Sequence, residues 1–340
     1  MVVQDIQEVS QYLKLKFRLD LQWMDTRVAF YNIKKDEALN SLTLEEQLTL
    51  WTPTIIFWNT EQQLKTVNDM ESFASILRSG KGSIISREVN EDIEVFKGSE
   101  NMITFSRVYS IKFFCNYQMA WYPFDQQTCS MEYIFDGVLN NYADLLPGAL
   151  NFTGKKELTQ YFVKKYVIKK TSIQMKSAVV VEVTLGRRLL GIFLTIFFPT
   201  ILLNIIGYAT NYFKEFFFEA VITVNLTSML VLSTMFISIS NSLPKTSYMK
   251  MVDVWLLFNL LYPFLVVLLH TYMDTLRSEE GEENMEQDTS TKTKKDGSKI
   301  DKKSRRLALM QRVSIVYMPA CCLFFASMYW FVGLKQAEAF

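Results

Sequence analysis

Residues 219–244, EAVITVNLTSMLVLSTMFISISNSLP, constrain this chain more than any other stretch. They are long and apolar enough to cross a bilayer, since about 20 residues rising about 1.5 Å each span the hydrocarbon. The stretch is not uniformly apolar. On a helix at about 100° per residue, counted from Thr223, the residues Glu219, Thr223, Thr227, Leu230, Thr234, Ile237 and Asn241 fall within about 40° of one line. Val221, Val224, Leu232, Met235 and Ile239 fall on the opposite side. A carboxylate and a row of hydroxyls are costly against lipid, so this face is expected to meet water or protein. Two readings follow: a polar seam joining helices, or the wall of a water-filled pore built from several copies of the chain.

Three further runs are apolar enough to span, at 189–212 (with Pro199 inside), 252–271 and 313–334. A short turn around Lys214 and Glu215 separates the first span from the striped one, and Ser242-Leu243-Pro244-Lys245 ends the latter. The connection 274–306 is acidic first (Glu279, Glu280, Glu282, Glu283, Glu286) and basic later (Lys294, Lys295, Lys299, Lys302, Lys303, Arg305, Arg306). Its early part reads as disordered. The basic residues just before the last span place the connection in the cytoplasm. Four spans then put the N-terminal part and the C-terminal tail outside. The expected division is 1–187 as an extracellular domain, 188–273 as three membrane helices, 274–306 as a cytoplasmic linker, and 307–340 as a fourth helix with a short tail. The location is a multi-pass protein of the plasma membrane in contact with its lipid.

Overall charge supports nothing exotic: 36 Lys+Arg against 35 Asp+Glu give +1, which argues against a nucleic-acid partner. A single His, His270, expected near a membrane interface, nearly excludes a His-based catalytic or metal site. No nucleophile–base pair or phosphate loop stands out, so an enzyme is not expected, and nothing calls for a cofactor. The first residues lack the charged and apolar regions of a signal peptide, consistent with a mature or truncated chain.

The first half reads as β. Residues 12–23 alternate as a half-buried strand should, and similar runs follow at 83–96, 102–114, 130–135, 161–169 and 178–185, separated by turn signals such as Lys97-Gly98-Ser99 and Asp136-Gly137. Many short strands at this spacing predict an antiparallel, immunoglobulin-like all-β sandwich, followed by the four-helix transmembrane domain. Cys115 and Cys129 bracket a loop of 13 residues. In an exported domain they are expected to form a disulfide, whose closure contributes about 3 kcal/mol on the chain-entropy model; two buried free thiols are the alternative. Cys321-Cys322 in the fourth helix are expected to be buried small apolar residues, without the geometry for a bridge. Asn151-Phe152-Thr153 is a glycosylation sequon compatible with an outside location, whereas Asn225-Leu226-Thr227 lies inside a span and should be unused.

The loop between the cysteines carries Tyr122-Pro123-Phe124-Asp125, and this resembles the signature of the Cys-loop receptors, the pentameric ligand-gated ion channels. Leu50-Trp51-Thr52-Pro53 with Phe57-Trp58-Asn59, the pair Arg187-Arg188 before the first span, and Asn241-Ser242-Leu243-Pro244-Lys245 resemble further family segments in the expected order. The resemblance covers about residues 10 to 335. It implies a homo- or hetero-pentamer with one extracellular sandwich per subunit and the second helix lining a central pore. Glu219, Thr223, Thr227, Leu230, Thr234, Ile237 and Asn241 would then line that pore. Five Glu219 carboxylates at its cytoplasmic mouth would attract monovalent cations. Glu219-Ala220 is closer to bacterial proton-gated members than to the Pro-Ala of anion-selective relatives. Leu230 and Ile237 would form apolar rings able to close the pore by dewetting. Coupling is expected through Phe124, Asp125, Arg187 or Arg188, Pro244 and Lys245, where the sandwich base meets the membrane domain.

Several family features are altered. Thr54 replaces the usual Asp, residues 132–137 lack the family's Trp, and the hairpin 170–177 has neither aromatic nor Cys. Residues 5–11 resemble the turn after the family's first strand, so the family's N-terminal helix and first strand are expected to be absent, either because the chain is truncated or because its sandwich is short by a strand, which leaves an exposed edge. Trp58, Arg18, Tyr109, Phe135, Asp136 and Tyr161 are the candidates for contact with an unidentified small extracellular ligand, with acetylcholine disfavoured. A ligand-gated cation channel is the leading expectation, and an accessory subunit that conducts only with a partner is the alternative.

Overall fold

The computed structural model describes residues 1–87, 92–137, 142–213, 217–287 and 305–339. It forms two compact units whose boundary does not follow the linear one expected at residue 187. Unit 1 is Met1–Tyr117, Thr128–Leu158 and Val163–Leu185; unit 2 is Gln118–Gln127, Thr159–Phe162 and Gly186–Phe340.

Eleven strands lie in three sheets among the described residues. β1 (Val2–Gln7), β2 (Tyr12–Trp23), β8 (Met102–Phe114) and β5 (Phe73–Leu77) form the first, in the order β1-β2-β8-β5. β10 (Tyr161–Ile173), β11 (Lys176–Arg187), β9 (Gln126–Phe135) and β4 (Ile55–Phe57) form the second, in the order β10-β11-β9-β4. β3 (Ala29–Tyr31), β7 (Asp92–Lys97) and β6 (Ser83–Arg87) form a small third sheet. The run expected at 83–96 is thus two strands, β6 and β7, paired antiparallel.

The long β2 and β8 pair antiparallel from Tyr12↔Phe114 to Trp23↔Ile103. Their alternation sends Phe17, Tyr109 and Phe113 to one face, where they meet Phe57 of β4 and Tyr133 of β9 at centroid distances of 5.1 to 6.3 Å. This aromatic cluster closes the two large sheets into a sandwich, each buried ring contributing large apolar area. Phe30, Ile33, Ile76, Phe96 and Ile103 make a second core cluster, flanked by Trp23, Val28 and Leu42. Cys115 and Cys129 form a disulfide with Cα atoms 5.1 Å apart, as expected.

The missing first strand is a correction. VVQDIQ pairs with β2, Val3 opposite Leu15 and Gln7 opposite Tyr12, with a register shift between Val3 and Asp5. Only residues 8–11 turn, and Gln11 takes a left-handed φ of 54°. Main-chain pairing and the burial of Val3 hold a strand whose polar side chains hid it.

Four described helices are long and apolar enough to cross a membrane: Leu189–Tyr212, Phe218–Ser242, Met251–Ser278 and Arg305–Ala337, the first to fourth spans. The first and fourth share a device. Each contains a five-residue π turn, Phe193–Phe197 and Val313–Tyr317, and in each a proline (Pro199, Pro319) stands two residues after the turn ends. Proline lacks an N–H and its ring crowds the carbonyl four residues back, so widening the preceding turn relieves both faults.

Two further expectations are corrected here. The helix of the third span does not stop near residue 273 but continues to Gln287, so the early acidic part of the connection is helical. Glutamate is a good helix former, and elongating a nucleated helix is much easier than starting one. The later basic part, with Lys294 to Lys303, and the turn at Lys214 and Glu215 lie outside the described residues. Cys321 is exposed and Cys322 half-buried within the chain, rather than both buried, because the fourth span shows most of its surface to the surroundings.

The spans pack around aromatics and a polar chain. Trp255 of the third span meets Phe197 and Tyr329 at 5.1 and 4.9 Å, and Phe258 stacks on Phe325 at 3.7 Å. Trp255 Nε1 donates to Thr200 Oγ1 at 3.0 Å, Asn259 Nδ2 donates to the Trp255 carbonyl at 2.6 Å, and Asn204 donates to Asn259. Hydrogen bonds of this kind join spans where lipid offers no partner.

Candidate functional site: a polar helix face and a buried ionic junction

The second span has two unlike faces. Val221, Asn225, Ser228 and Leu232 are buried, while Glu219, Thr223, Thr227, Leu230, Thr234, Ile237 and Asn241 are all exposed. The exposed arc also takes in Leu226, Val231, Ser238 and Ser242. Behind it, Asn225 fixes the rotation of the helix: its Nδ2 donates to Thr210 Oγ1 at 3.1 Å and to the Val221 carbonyl at 2.8 Å. Its Oδ1 sits close to Gly207, where a side chain's Cβ would lie 3.2 Å away. Asn225 was legible only as an unused sequon; its polarity inside an apolar span is the signal that marks it as a packing determinant.

The hydroxyls on the exposed face are tied inward. Thr223 Oγ1 donates to the Glu219 carbonyl at 2.8 Å, Thr227 Oγ1 to that of Val224 at 2.9 Å, and Thr234 Oγ1 to that of Val231 at 2.8 Å. With the proton spent on the helix's own backbone, each hydroxyl presents lone pairs outward. Together with the Glu219 carboxylate, such a face offers oxygen acceptors.

The second feature is a buried ion pair within unit 2. Arg187, at the end of β11, and Asp125, the residue immediately before β9, have side chains only 3% and 2% exposed. The guanidinium grips the carboxylate with both arms, Nε to Oδ1 at 2.6 Å and Nη2 to Oδ2 at 2.9 Å. It lies between the rings of Tyr122 and Tyr161, each centroid 4.6 Å from Cζ, and Nη2 also donates to the Tyr161 hydroxyl. Gln127 Nε2 donates to Asp125 Oδ2 and to the Gln118 carbonyl, while its Oε1 accepts from Gln118 N. Planar two-point pairing, ring faces and satisfied lone pairs are what make a buried charge pair tolerable. Arg187 is the residue that grips Asp125; Arg188 is exposed, with its backbone N–H on the Gln160 carbonyl.

The Cys loop also docks on the spans. Ala120 and Tyr122 carbonyls accept from the N–H groups of Met251 and Val252, at 2.9 and 3.0 Å, satisfying donors that the start of the third span leaves open. Phe124 is buried against Tyr329 and Trp330, at 5.9 and 5.4 Å, over Gly333, where any Cβ would overlap its ring. Gln126 Nε2 donates to the Ala337 carbonyl at 3.0 Å. Pro244 is buried and Lys245 exposed.

The ligand candidates are not brought together. Tyr109 and Phe135 are each 6% exposed, and Tyr161 only 1%. Tyr109 packs in the sandwich core with its hydroxyl accepting from Val67 N at 3.3 Å, and Tyr161 belongs to the ionic junction. These three are corrected to packing residues, because the inward positions of their strands put the rings into the chain. Trp58 is half-buried against the Ile56, Ile134 and Ala178 cluster. Asp136 pairs with Lys65 at 2.7 Å, and Arg18 pairs with Asp20 on the surface. Asn151 is exposed, as a glycan acceptor requires. Among the described residues no group of His, Cys, Asp and Glu could hold a metal ion.

Residues 1–182 match the family of the neurotransmitter-gated ion-channel ligand binding domain. The human gamma-aminobutyric acid receptor subunit rho-3 is 23% identical over 291 residues, covering 82% of this chain and 57% of that protein. The theta subunit of that receptor from Mus musculus is 23% identical over 288 residues, covering 81% of this chain and 40% of its own length. The glutamate-gated chloride channel of Drosophila melanogaster is 24% identical over 304 residues, 87% of this chain and 61% of that protein. The chain therefore spans about half the length of the curated relatives it matches. A match over more than half of the chain, a disulfide-closed loop carrying Phe124 and Asp125, and four spans behind it place the chain in the Cys-loop receptor family.

Proposed function

We propose that the chain is a subunit of a pentameric ligand-gated ion channel, with the face from Glu219 to Asn241 of each copy lining the pore. The observation that carries this is the exposure of the whole stripe beside a back face locked by Asn225. A carboxylate and a row of hydroxyl oxygens whose lone pairs face outward are better placed against water than against lipid. The acceptor character of that face supports selection of monovalent cations, Glu219 forming a ring of carboxylates and Leu230 and Ile237 the apolar constriction. The N-terminal unit and the C-terminus are extracellular in this reading, Asn151 is available to glycosylation, the connection 274–306 is cytoplasmic, and the membrane is the plasma membrane.

Gating by a small extracellular ligand would run through the Asp125–Arg187–Tyr161 junction, into which β9, β10 and β11 all run. Two packed arrangements of such a junction are the usual basis of a switch. The burial of Tyr109, Phe135 and Tyr161 favours a second reading, an accessory subunit that conducts only with a partner supplying the ligand site.

The test is current in asymmetric salt across a bilayer containing the purified chain. A reversal potential directed by cations, and weakened several-fold in permeability ratio by Glu219→Ala, is the expected result. Anion-directed current, as the name of the Drosophila relative describes for that protein, would sink the cation assignment while keeping the pore. Silence alone and current with a second subunit would select the accessory reading.

A further inference from the structure

The chain carries a net charge of only +1, yet residues 155–176 of unit 1 hold seven lysines against one acid, Glu157. Four of the lysines, Lys164, Lys165, Lys169 and Lys170, lie on β10, the edge strand of the second sheet. Neighbouring residues of a strand point to opposite sides, so each pair sets one ammonium group on either side of that edge. The two pairs stand five residues apart, about 17 Å along an extended strand. A second segment brings more charge to the same place. The Lys156 carbonyl accepts from Val163 N at 2.7 Å, and Phe152 stacks on Tyr166 with ring centroids 5.5 Å apart. Lys155 and Lys156 are thereby held alongside Lys164 and Lys165, and all four are exposed. Among the described residues no carboxylate pairs with any of these four, whereas Lys169 pairs with Glu182 at 2.6 Å and Lys170 with Asp144 at 3.0 Å.

Lysine at a sheet edge also deters pairing between copies of a chain. That need does not account for this cluster, because at Val163 the edge is already taken by the Lys156 carbonyl, and the cations without a carboxylate gather there. Repulsion among them costs stability that an anion lying between them would restore. We propose that this edge binds a sulfated polysaccharide running along β10, with its sulfates among the ammonium groups of Lys155, Lys156, Lys164 and Lys165. The cations form a line and not a pocket, which fits a linear, repeating polyanion. All are lysines, compact point charges that meet a sulfate from many directions, where the arginine fork would favour carboxylates. An acidic peptide would join the edge as an added strand, and the main chain at Val163 already bonds to Lys156. The source of such a polymer rests on the reading above that the N-terminal unit is extracellular; the charge arrangement does not.

The full chain, purified in neutral detergent, is passed over immobilised heparin fragments, the same fragments freed of sulfate, and poly-glutamate, at about 50 to about 200 mM salt. Saturable binding to the sulfated fragments that weakens steeply with salt is the expected result. Lys164→Gln combined with Lys165→Gln should weaken it about tenfold. Lys34→Gln combined with Lys35→Gln, at an exposed lysine pair elsewhere in unit 1, should change it little. A second measurement needs no substitution: heparin should slow the acylation of Lys164 and Lys165 by an amine reagent, read by mass spectrometry, and leave Lys34 unprotected. Equal binding to the desulfated fragments overturns the proposal, as does equal binding to poly-glutamate, which would make an acidic protein the partner. Equal weakening by the Lys34 and Lys35 substitutions overturns it as well, since attraction would then be diffuse. Absence of binding at the lowest salt overturns it too and leaves the lysines as guards of the sheet edge. The measurement reads neither sidedness nor conduction, so its failure leaves the pore proposal standing, and heparin binding by a chain that carries no current leaves this one standing.

Discussion

Arg187 with Asp125 and Arg18 with Asp20 are the same two functional groups in two settings. The first pair has side chains 3% and 2% exposed, the second 68% and 39%. The N–O distances hardly differ, at 2.6 and 3.0 Å. What differs is the surroundings. Arg187 is roofed by two tyrosines and its carboxylate partner is held by Gln127, whereas Arg18 and Asp20 face solvent two residues apart on one strand. Distance therefore says little about importance; the dielectric and the remaining hydrogen bonds say most.

Removing one side of the buried pair should have the largest effect. Arg187→Ala leaves Asp125 charged and buried, and is expected to cost about 3–5 kcal/mol, read as a large fall in the thermal midpoint or loss of assembled protein. Arg187→Met combined with Asp125→Leu should recover much of that stability, since packed apolar groups replace buried ions at little cost. If the junction also transmits gating, the double variant folds and does not respond to stimulus; a normal response would confine the pair to a structural role.

An intermediate case sharpens the contrast. Arg107 holds Asp69 with Nε to Oδ1 at 2.9 Å, its side chain 16% exposed against 36% for Asp69. The hydrogen bond from Arg107 keeps the Asp69 carboxyl below its ordinary value of 3.8. A carboxyl lowered on folding adds stability that is present above the unfolded value and lost as pH falls through the folded one. Asp69→Asn should thus lower stability by about 1 kcal/mol or less at neutral pH, after solvent screening, and remove that part of the acid-side loss. Unchanged acid sensitivity in the variant would reassign it to other carboxyls. Arg18→Gln should change least, by no more than about 0.5 kcal/mol, unless Arg18 meets a ligand, in which case the agonist response shifts while the thermal midpoint does not.

Much of this architecture was legible because it rests on periodicity. The alternation of residues 12–23 marks β2, the run 189–212 matches the first span, and the exposed stripe of the second span follows from its helical spacing. Charge and motif pointed to Asp125 and Arg187. What escaped depends on partners distant in sequence. Tyr161 looks like any strand aromatic until Arg187 comes beside it, and Gln127 until it brackets Gln118 and Asp125. β1 lacks a clean apolar face because its stability comes from main-chain pairing. The acidic run to Gln287 has the composition of disorder, and an already formed helix extends through it.

The two π turns have a bearing on how the first and fourth spans should be numbered in comparisons. A π turn acts as one surplus residue in an α-helix, and a surplus residue rotates everything beyond it by about 100°. A helical wheel drawn straight through 193–197 or 313–317 will therefore assign the wrong side to each residue that follows. Aligning this chain to a relative with an unbroken helix calls for a one-residue gap there. Deleting a residue within 313–317 offers a direct handle, since it would turn the far end of the fourth span, Tyr329 to Gly333 included, away from Phe124 while leaving the composition of the helix almost intact.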